Sequence, residues 1–341
     1  MARATKRNKL TTPEDISKIS EENQNLINDY LIYLKGTKKS SGTIIQYKSD
    51  LNIFFVWNMK NNKNKDFVNL SKRDIIAFQD WLINTNGNSS ARVHRIKAVL
   101  SSLSNYIENI LDDEYEDFRP IIRKIENPEK QIVRQKTILS AEQIENALQE
   151  LVDKEEYLKA CALALAAYSG RRKQELPRFK VDYFKDENLI CGGSLYETPE
   201  PILTKGRGGG KFITCYTLAH PFKPYLDLWL KYRKENGIES EWLLPNKANW
   251  NEPMPVSTLN SYANSFSKIM GVDFYFHSLR HWFTTYLSKS NIPNTVITKI
   301  IGWESTQMCD IYNDTTTGEM LDEYFNSDGI VAHSKKSLSD L

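Results

Sequence analysis

Two sets of polar side chains have the types and spacings that suit an anion. Arg172 comes just after the most apolar stretch of the chain, residues 157–168, and Glu175 is three residues further on, where its carboxylate could hold the guanidinium. An arginine so close to a buried segment is costly to desolvate without an anionic partner. His277 and Arg280 are also three residues apart, so on a helix they face the same way. An imidazole beside a guanidinium, which can form two parallel hydrogen bonds, binds phosphate well. These residues therefore indicate chemistry at a phosphate group.

Three further features are ambiguous when each is taken alone. Ile301-Gly302-Trp303 precedes Tyr312 by nine residues, and Lys205 and Lys211 flank a glycine-rich run. A histidine and arginine three apart are more often a surface pair, a lone tyrosine usually packs, and a Gly-Trp pair is usually a turn. The glycine-rich run does not fit GxxxxGK[ST], because Lys205 stands at the first glycine and Phe212 follows Lys211. We therefore reject nucleotide binding there.

The composition excludes a disordered chain and a membrane protein. Of 341 residues, 40% are hydrophobic, which is too many for a disordered chain, and a mean hydropathy of −0.52 is too low for a membrane protein. No run approaches the roughly 20 apolar residues of a membrane helix, and the basic start has no apolar segment behind it, as a secretory signal would. The length predicts about two domains.

The charged residues indicate which partners the protein could bind, and the cysteines indicate its redox compartment. With 45 basic and 43 acidic residues the net charge is +2, which leaves nucleic acid open as a partner if the basic residues cluster. Residues 1–21 form a basic arm, which is either a DNA contact or a solvated segment. The four cysteines never occur as CxxC, which favours a reducing compartment and argues against disulfides or a cysteine-rich zinc site. We expect a cytoplasmic protein without a metal.

Residues 22–110 have the apolar periodicity of a bundle of about four helices. Ser71 is typical of a helix N-cap. Near the start of the fourth helix, hydroxyl and basic side chains form a set that suits phosphate contacts: Ser90, Arg92, Arg95 and Lys97. The alternative for this set is an ordinary solvated polar face.

A linker separates this bundle from a second domain. Residues 111–139 are first acidic and then contain prolines and basic residues without a clear apolar face, which predicts an extended connection. The second domain then covers 140–326, beginning at Ser140 with a capping-box pattern, and residues 327–341 form a polar tail.

The second domain is predicted to be mainly helical. Residues 157–168 are apolar on nearly every side and predict a buried central helix. Between 178 and 217, short apolar runs alternate with Gly and Pro, which predicts a small antiparallel sheet with a hairpin loop at 205–211. From Pro221 onward helices return. The fold class is therefore mainly α with a small antiparallel β-sheet.

In chain order, these features resemble the tyrosine recombinase (phage integrase) family over most of the chain. The N-terminal bundle is similar to the family's core-binding (SAM-like) domain, and Tyr312 stands in the position of its nucleophile. The other motifs that match are an arginine motif T-G-x-R-x-x-E-L at Ser169-Gly170-Arg171-Arg172-Lys173-Gln174-Glu175-Leu176, a hairpin lysine at Thr204-Lys205-Gly206, H-x-L-R-H at His277-Ser278-Leu279-Arg280-His281, and L-G-H at Ile301-Gly302-Trp303.

The chain departs from the family pattern at a few positions. Ser169 replaces the usual threonine, which is a mild change. Arg171 replaces an apolar residue and is unexpected beside a packed helix. The hairpin is unusually glycine-rich, so Lys211 competes with Lys205 for the role of the hairpin lysine.

The resemblance implies a site-specific DNA recombinase or integrase that works through a 3′-phosphotyrosyl intermediate on Tyr312 and needs no cofactor. Arg172 and Arg280 would clamp the non-bridging oxygens of the attacked phosphate. His277 and Trp303 would add hydrogen bonds, and His277 is also a candidate acceptor of the tyrosine proton.

Other residues would support this step. Lys205 would give a proton to the departing 5′ oxygen. Glu175 would orient the neighbouring arginine, and His281 would support the residues that touch the phosphate. Arg207 and Lys211 join the expected DNA contacts.

The resemblance also implies double-stranded DNA as partner, held by a two-domain clamp, with a homotetramer on synapsed DNA and no membrane. One alternative is a sequence-specific transcriptional regulator, such as a phage repressor, that keeps the fold but does not recombine. A type IB topoisomerase, which shares the chemistry, is another.

Overall fold

The computed structural model describes residues 11–129, 137–204 and 210–314, and the backbone of two short strands, β8 (Phe325–Asn326) and β9 (Gly329–Ile330). The described residues divide into an N-terminal and a C-terminal compact unit, which meet in sequence between 129 and 137. Both consist mainly of helices, with small antiparallel sheets in the C-terminal unit, and this confirms the predicted fold class. None of the helices in these ranges has the length and apolar character to cross a lipid bilayer.

The N-terminal unit is a helical bundle. Its α-helices are α1 (Pro13–Ser17), α2 (Glu21–Gly36), α3 (Ser41–Asn61), α4 (Lys72–Asp80), which continues as a π-helix over Trp81–Thr85, and α5 (Ser90–Ile110). A serine precedes each of α2 to α5 and accepts the backbone N–H three residues on, so the polar breaks in the sequence are helix starts: Ser20, Ser40, Ser71 and Ser89. The predicted N-cap at Ser71 is confirmed.

The core of this bundle extends beyond the segment 22–110 that we predicted. Aromatic rings fill its centre, with Phe54 and Phe78 edge to face at 4.9 Å. Ile19, inside the predicted basic arm, and Ile122, inside the predicted linker, are both buried in the same core. Apolar residues on either side of the bundle therefore belong to it, whereas residues 1–10 and 130–136 lie outside the described part of the chain.

The C-terminal unit surrounds one buried helix. Its α-helices are α6 (Ala141–Asp153), α7 (Tyr157–Ser169), α8 (Ala219–Glu235), α9 (Val256–Met270), α10 (Phe276–Lys289), α11 (Asn294–Ile301) and α12 (Gln307–Tyr312). From Leu158 to Ser169 every α7 residue except Lys159 is buried, as its all-round apolar sequence predicts. The capping box between Ser140 and Gln143 at the start of α6 is also confirmed.

Short antiparallel strands flank these helices. Strands β1 (Leu189–Ile190), β2 (Leu195–Glu197) and β5 (Tyr216–Leu218) form one sheet, β3 (Ile202–Thr204) pairs with β4 (Lys211–Ile213), and β6 (Pro245–Asn246) pairs with β7 (Asn249–Pro253). The predicted hairpin is present, because Thr204 pairs with Lys211 across the loop. The apolar run 212–216 is divided, however, between β4 in the hairpin and β5 in the sheet.

Candidate active site

Four segments that are far apart in sequence bring reactive side chains together. The first two turns of α10 carry His277 and Arg280, and α12 ends at Tyr312. The turn after α11 carries Trp303, and the loop after α7 carries Arg172. All of these lie in the C-terminal unit, so one polypeptide supplies the whole set.

The phenol of Tyr312 lies between two imidazoles. Its hydroxyl is 2.8 Å from Nε2 of His277. Its ring stacks on the ring of His281, with centroids 4.4 Å apart and an interplanar angle of 20°. Because the tyrosine is only 9% exposed, the hydroxyl is held in one direction and has a basic nitrogen in contact with it.

The two residues after this tyrosine fasten the end of α12 to α10. The side-chain amide of Asn313 donates to Oγ of Ser288 at 3.0 Å, and the backbone N–H of Asp314 donates to Oγ1 of Thr285 at 2.9 Å. The Asp314 carboxylate lies 3.7 Å from Nδ1 of His281. These contacts keep the phenol beside the histidines although α12 is a short helix.

Arg280 is fully buried beside the tyrosine. Its Nη1 donates to the carbonyl of Gly170 at 2.8 Å and its Nη2 to the carbonyl of Ile301 at 3.3 Å. The guanidinium carbon lies 5.1 Å from the ring centroid of Trp303 and 6.0 Å from that of Tyr312. The buried guanidinium therefore lies close to both the indole and the phenol.

Two donors of this cluster lack hydrogen-bond partners among the described residues. They are Nε of Arg280 and the indole Nε1 of Trp303, and both atoms are buried. A buried donor without an acceptor costs about 1–3 kcal/mol, so native structures rarely keep one without a reason. Two such donors beside one tyrosine suit a ligand that brings its own oxygen acceptors, as a phosphate does.

Glu175 fixes the other arginine. Its carboxylate is 1% exposed and accepts from Nη1 of Arg172 at 3.2 Å and from the backbone N–H of the same residue at 3.0 Å. The arginine side chain is itself 33% exposed, so it still reaches solvent. The pairing inferred from the spacing of these two residues is present, although they lie in a turn and not in a helix.

Family models match the chain in two places. The model of the phage integrase family covers residues 137–319, and that of the phage integrase N-terminal SAM-like domain covers residues 19–117. The chain belongs to the tyrosine recombinase (phage integrase) family. Members of this family are enzymes that break and rejoin DNA, and the predicted family is thereby confirmed.

Similar proteins and solved structures support the same family. The SPbeta prophage-derived recombinase-like protein YomM of Bacillus subtilis (strain 168) is 30% identical over 254 residues, 73% of this chain and 72% of that protein. Tyrosine recombinase XerA of Pyrococcus horikoshii is 23% identical over 86% of this chain and 90% of its own. A lambda integrase tetramer bound to a Holliday junction has the same fold, with a TM-score of 0.62 and 17% identity over 85% of this chain and 77% of that one.

The hairpin of this recombinase lies beside the turn that carries Trp303. Gly302 has a φ of +76°, and a Cβ atom on it would lie 2.5 Å from Cδ1 of Ile213 in β4. Lys211, also in β4, has its ammonium 3.7 Å from the carboxylate of Glu304. Lys205 and Arg207 lie outside the described residues, so the choice between the two lysines stays a prediction.

Burial and nearby positive charges lower the pKa values of two basic residues of the site. Burial, followed by the positive charges of His281, Arg280 and Arg172, lowers the pKa of His277 to about 4. Burial, followed by the charge of Arg171, also lowers the pKa of Arg280. At neutral pH the imidazole in contact with Tyr312 is consequently uncharged and can accept a proton.

In the N-terminal unit, Asp50 organises the basic residues that we expected to contact DNA. This carboxylate is fully buried and lies 2.6 Å from Nη1 of Arg92 and 3.5 Å from Nε of Arg95. Gln46 donates to it at 3.0 Å. Arg95 remains 52% exposed, so the pairing orients an arginine that still reaches solvent. Ser90 occupies the first position of α5.

Lys97 has a structural position instead of the expected DNA-contacting one. Its side chain is 3% exposed and its ammonium donates to Oε1 of Gln79 at 2.7 Å and to the carbonyls of Ile125 and Glu126 at 3.0 and 2.9 Å. All three donors of the ammonium are engaged in holding the segment after α5, so we remove Lys97 from the proposed DNA contacts. Within the described ranges, no cluster of histidine, cysteine and acidic residues could hold a metal ion.

Proposed function

We propose that this recombinase cleaves DNA with Tyr312 as nucleophile. The observation that carries the proposal is the 2.8 Å contact between the tyrosine hydroxyl and Nε2 of His277, beside two buried donors without partners. A nucleophile in contact with a base, next to buried donors that lack acceptors, is the arrangement that phosphoryl transfer to a tyrosine requires.

In the first step the phenolic oxygen attacks the scissile phosphorus. A bond forms between this oxygen and phosphorus, the bond to the 5′ oxygen breaks, and the DNA is left joined through its 3′ phosphate to Tyr312. The phenolic proton passes to Nε2 of His277, which is uncharged at neutral pH because its pKa is lowered to about 4. The Nδ1-protonated tautomer is the one that serves here.

The non-bridging oxygens of the phosphate gain charge during this attack. We assign their stabilisation to Arg172, Arg280 and Trp303, which supply charged and neutral donors from three segments. Two of these donors, Nε of the second arginine and the indole Nε1, are buried and unsatisfied among the described residues. The phosphate would give them the acceptors that the protein does not.

The leaving 5′ oxygen needs a proton, and a hairpin lysine is its source in this proposal. Lys205 fits the family motif, and Lys211 is the competing candidate, with its ammonium 3.7 Å from Glu304. Attack on the phosphotyrosine by the 5′ hydroxyl of another strand reverses the proton transfers and reseals the DNA. Phosphodiester bond energy is kept in the covalent intermediate, so we expect no cofactor.

Both units would contact double-stranded DNA. From the N-terminal unit we propose Ser90, Arg92 and Arg95, and from the hairpin Arg207 and Lys211. Recombination joins two sites, and a lambda integrase of the same fold is a tetramer on a Holliday junction, so we propose that this chain assembles as a homotetramer on synapsed DNA. A cytoplasmic location stays our expectation.

The test is covalent capture on DNA. The target duplex is first selected by the full-length protein from a random-sequence duplex pool, and a nick is then placed so that the cleaved strand end is lost. We expect wild-type protein to give an adduct and Tyr312→Phe to bind the duplex with unchanged Kd but give none. Tyr168→Phe, on the buried helix α7, is the matched control.

Other outcomes would separate the alternatives. Tight sequence-specific binding without an adduct from wild-type protein would contradict the proposal and favour a regulator. Relaxation of supercoiled plasmid without sequence preference would instead favour a topoisomerase. The relatives named as recombinases and the assembled site both favour the recombinase.

A further inference from the structure

Arg171 is a fully buried guanidinium that the proposed mechanism does not use. Each of its three nitrogens donates to a different group: Nε to the carbonyl of Ser169 at 3.2 Å, Nη2 to the carbonyl of Ile300 at 2.6 Å, and Nη1 to the sulfur of Cys215 at 3.4 Å. In the described part of the chain, no carboxylate forms an ion pair with it. A buried cation held only by neutral groups, two carbonyls and a thiol, is unusual and calls for a reason.

The carbonyls that Arg171 binds are neighbours of those that Arg280 binds. Arg171 joins Ser169 to Ile300, while Arg280 joins Gly170 to Ile301. The two guanidiniums therefore tie the same two segments together at consecutive residues. One segment leads into Arg172 and the other into Trp303.

The second segment is the carboxyl end of α11. Carbonyls at such an end have no partner within their own helix, and the helix dipole places partial negative charge there, so both terms favour a cation. Directly after the bonded carbonyls, Gly302 turns the chain with a φ of +76°. A Cβ atom on this glycine would lie 3.8 Å from Nη1 of Arg171, so the guanidinium also borders the turn itself.

We propose that Arg171 is a positioning residue for DNA cleavage, which fixes the end of α11 so that the indole of Trp303 and the guanidinium of Arg280 face the attacked phosphate. This inference rests on the proposed function, because it concerns the same phosphate. Arg171 does not touch DNA in this role, since it is fully buried and each of its nitrogens is already bonded to protein.

The charge of Arg171 adds a second effect. It is the largest electrostatic contribution that lowers the pKa of Arg280, after burial. A positive potential that disfavours protonation of one guanidinium also favours the negative charge that grows on nearby phosphate oxygens. An apolar residue, which the family pattern has here, would provide neither the carbonyl contacts nor this potential.

The experiment compares Arg171→Met with Arg233→Met in the full-length protein. Arg233 is a matched control, because it is 6% exposed and donates to the backbone carbonyls of Trp242 and Ser240, away from the reactive cluster. The assay measures single-turnover adduct formation on the selected nicked duplex at saturating protein. The temperature is kept below the melting temperature of every variant, and each rate is divided by the fraction of protein that is folded.

We expect Arg171→Met to slow adduct formation about 10- to 100-fold, as removal of groups that orient active-site ligands does, with its Kd for the duplex within about twofold of wild type. Arg233→Met should keep the wild-type rate within about twofold although it also loses stability. Equal rates for the two methionine variants would overturn the inference. Absence of an adduct from wild-type protein would instead overturn the proposed function.

A double-mutant cycle separates positioning from general destabilisation. Because the proposal has Arg171 position the indole as well as Arg280, its effect should shrink in a Trp303→Phe background, since coupled residues are not additive. Full additivity would overturn the role of Arg171 in placing the indole. Should Arg171→Met not fold, Arg171→Lys keeps the charge but cannot join both carbonyls, so a wild-type rate for this variant would also overturn it.

Discussion

Trp303→Phe tests whether the unsatisfied indole N–H is reserved for DNA. The ring is 8% exposed and lies 4.8 Å from the ring of Tyr312, and its Nε1 is buried without a hydrogen-bond partner among the described residues. Phenylalanine keeps a ring in this place but removes the donor. The substitution therefore separates what the indole does for folding from what it does for the phosphate.

The two effects are expected to differ in size. Removing a buried donor without an acceptor relieves about 1–3 kcal/mol. The lost part of the ring costs about 1–2 kcal/mol in packing, so the free energy of unfolding should fall by no more than about 1 kcal/mol. A hydrogen bond to a charged phosphate is worth about 1.5–3 kcal/mol, so adduct formation should slow roughly 10- to 150-fold.

Urea unfolding and single-turnover adduct formation measure these quantities. Trp229→Phe is the matched control, because that tryptophan is 2% exposed and its Nε1 donates to the carbonyl of Leu243 at 2.8 Å. The control should lose more stability and keep its cleavage rate. An unchanged cleavage rate in Trp303→Phe, or a loss of stability as large as that of the control, would refute the reasoning.

Three further predictions follow from the same geometry. Because the pKa of His277 is lowered to about 4, its neutral form persists to lower pH, and the rate of adduct formation against pH should show no loss with a midpoint near the ordinary histidine value of about 6.5. Alanine at the true proton-donating lysine, Lys205 or Lys211, should abolish cleavage of a normal duplex but not of one with a 5′-bridging sulfur, which leaves without protonation. Asp50→Asn should weaken DNA binding in fluorescence anisotropy and lower the free energy of unfolding by about 1–3 kcal/mol in urea titrations, because it removes the buried charge that pairs with Arg92.

Part of the reactive cluster could be predicted from the sequence, because one motif contains both a reactive residue and the neighbour that holds it in place. The spacing of Arg172 and Glu175 predicted their pairing, and the structure has it at 3.2 Å. The contact between Tyr312 and His277 followed only from the resemblance, since the two residues are 35 positions apart and no periodicity relates them.

The sequence could not predict which hydrogen-bond acceptors a long basic side chain reaches in the folded protein. Lys97 follows Arg92 and Arg95 on the same helix and looks like a third solvated base, but its ammonium reaches backbone carbonyls 28 and 29 positions away. Long amphipathic side chains can bury their stems and place the charged end elsewhere, so a basic residue alone does not identify a DNA contact. The burial of Ile122 was missed for a different reason, because the few apolar residues between Pro120 and Pro128 form too short a run to show a periodicity.

The site contains buried positive charges that a stable protein interior would normally pair with a carboxylate. Two guanidiniums, Arg171 and Arg280, are fully buried at one helix end, with backbone carbonyls as partners. Carbonyls can hold such cations but cannot neutralise them, so the positive potential remains for a ligand. A carboxylate in this place would give a more stable fold and would compete with DNA for the same donors. Glu175 avoids that competition, because it is buried and binds Arg172, whose side chain still reaches solvent.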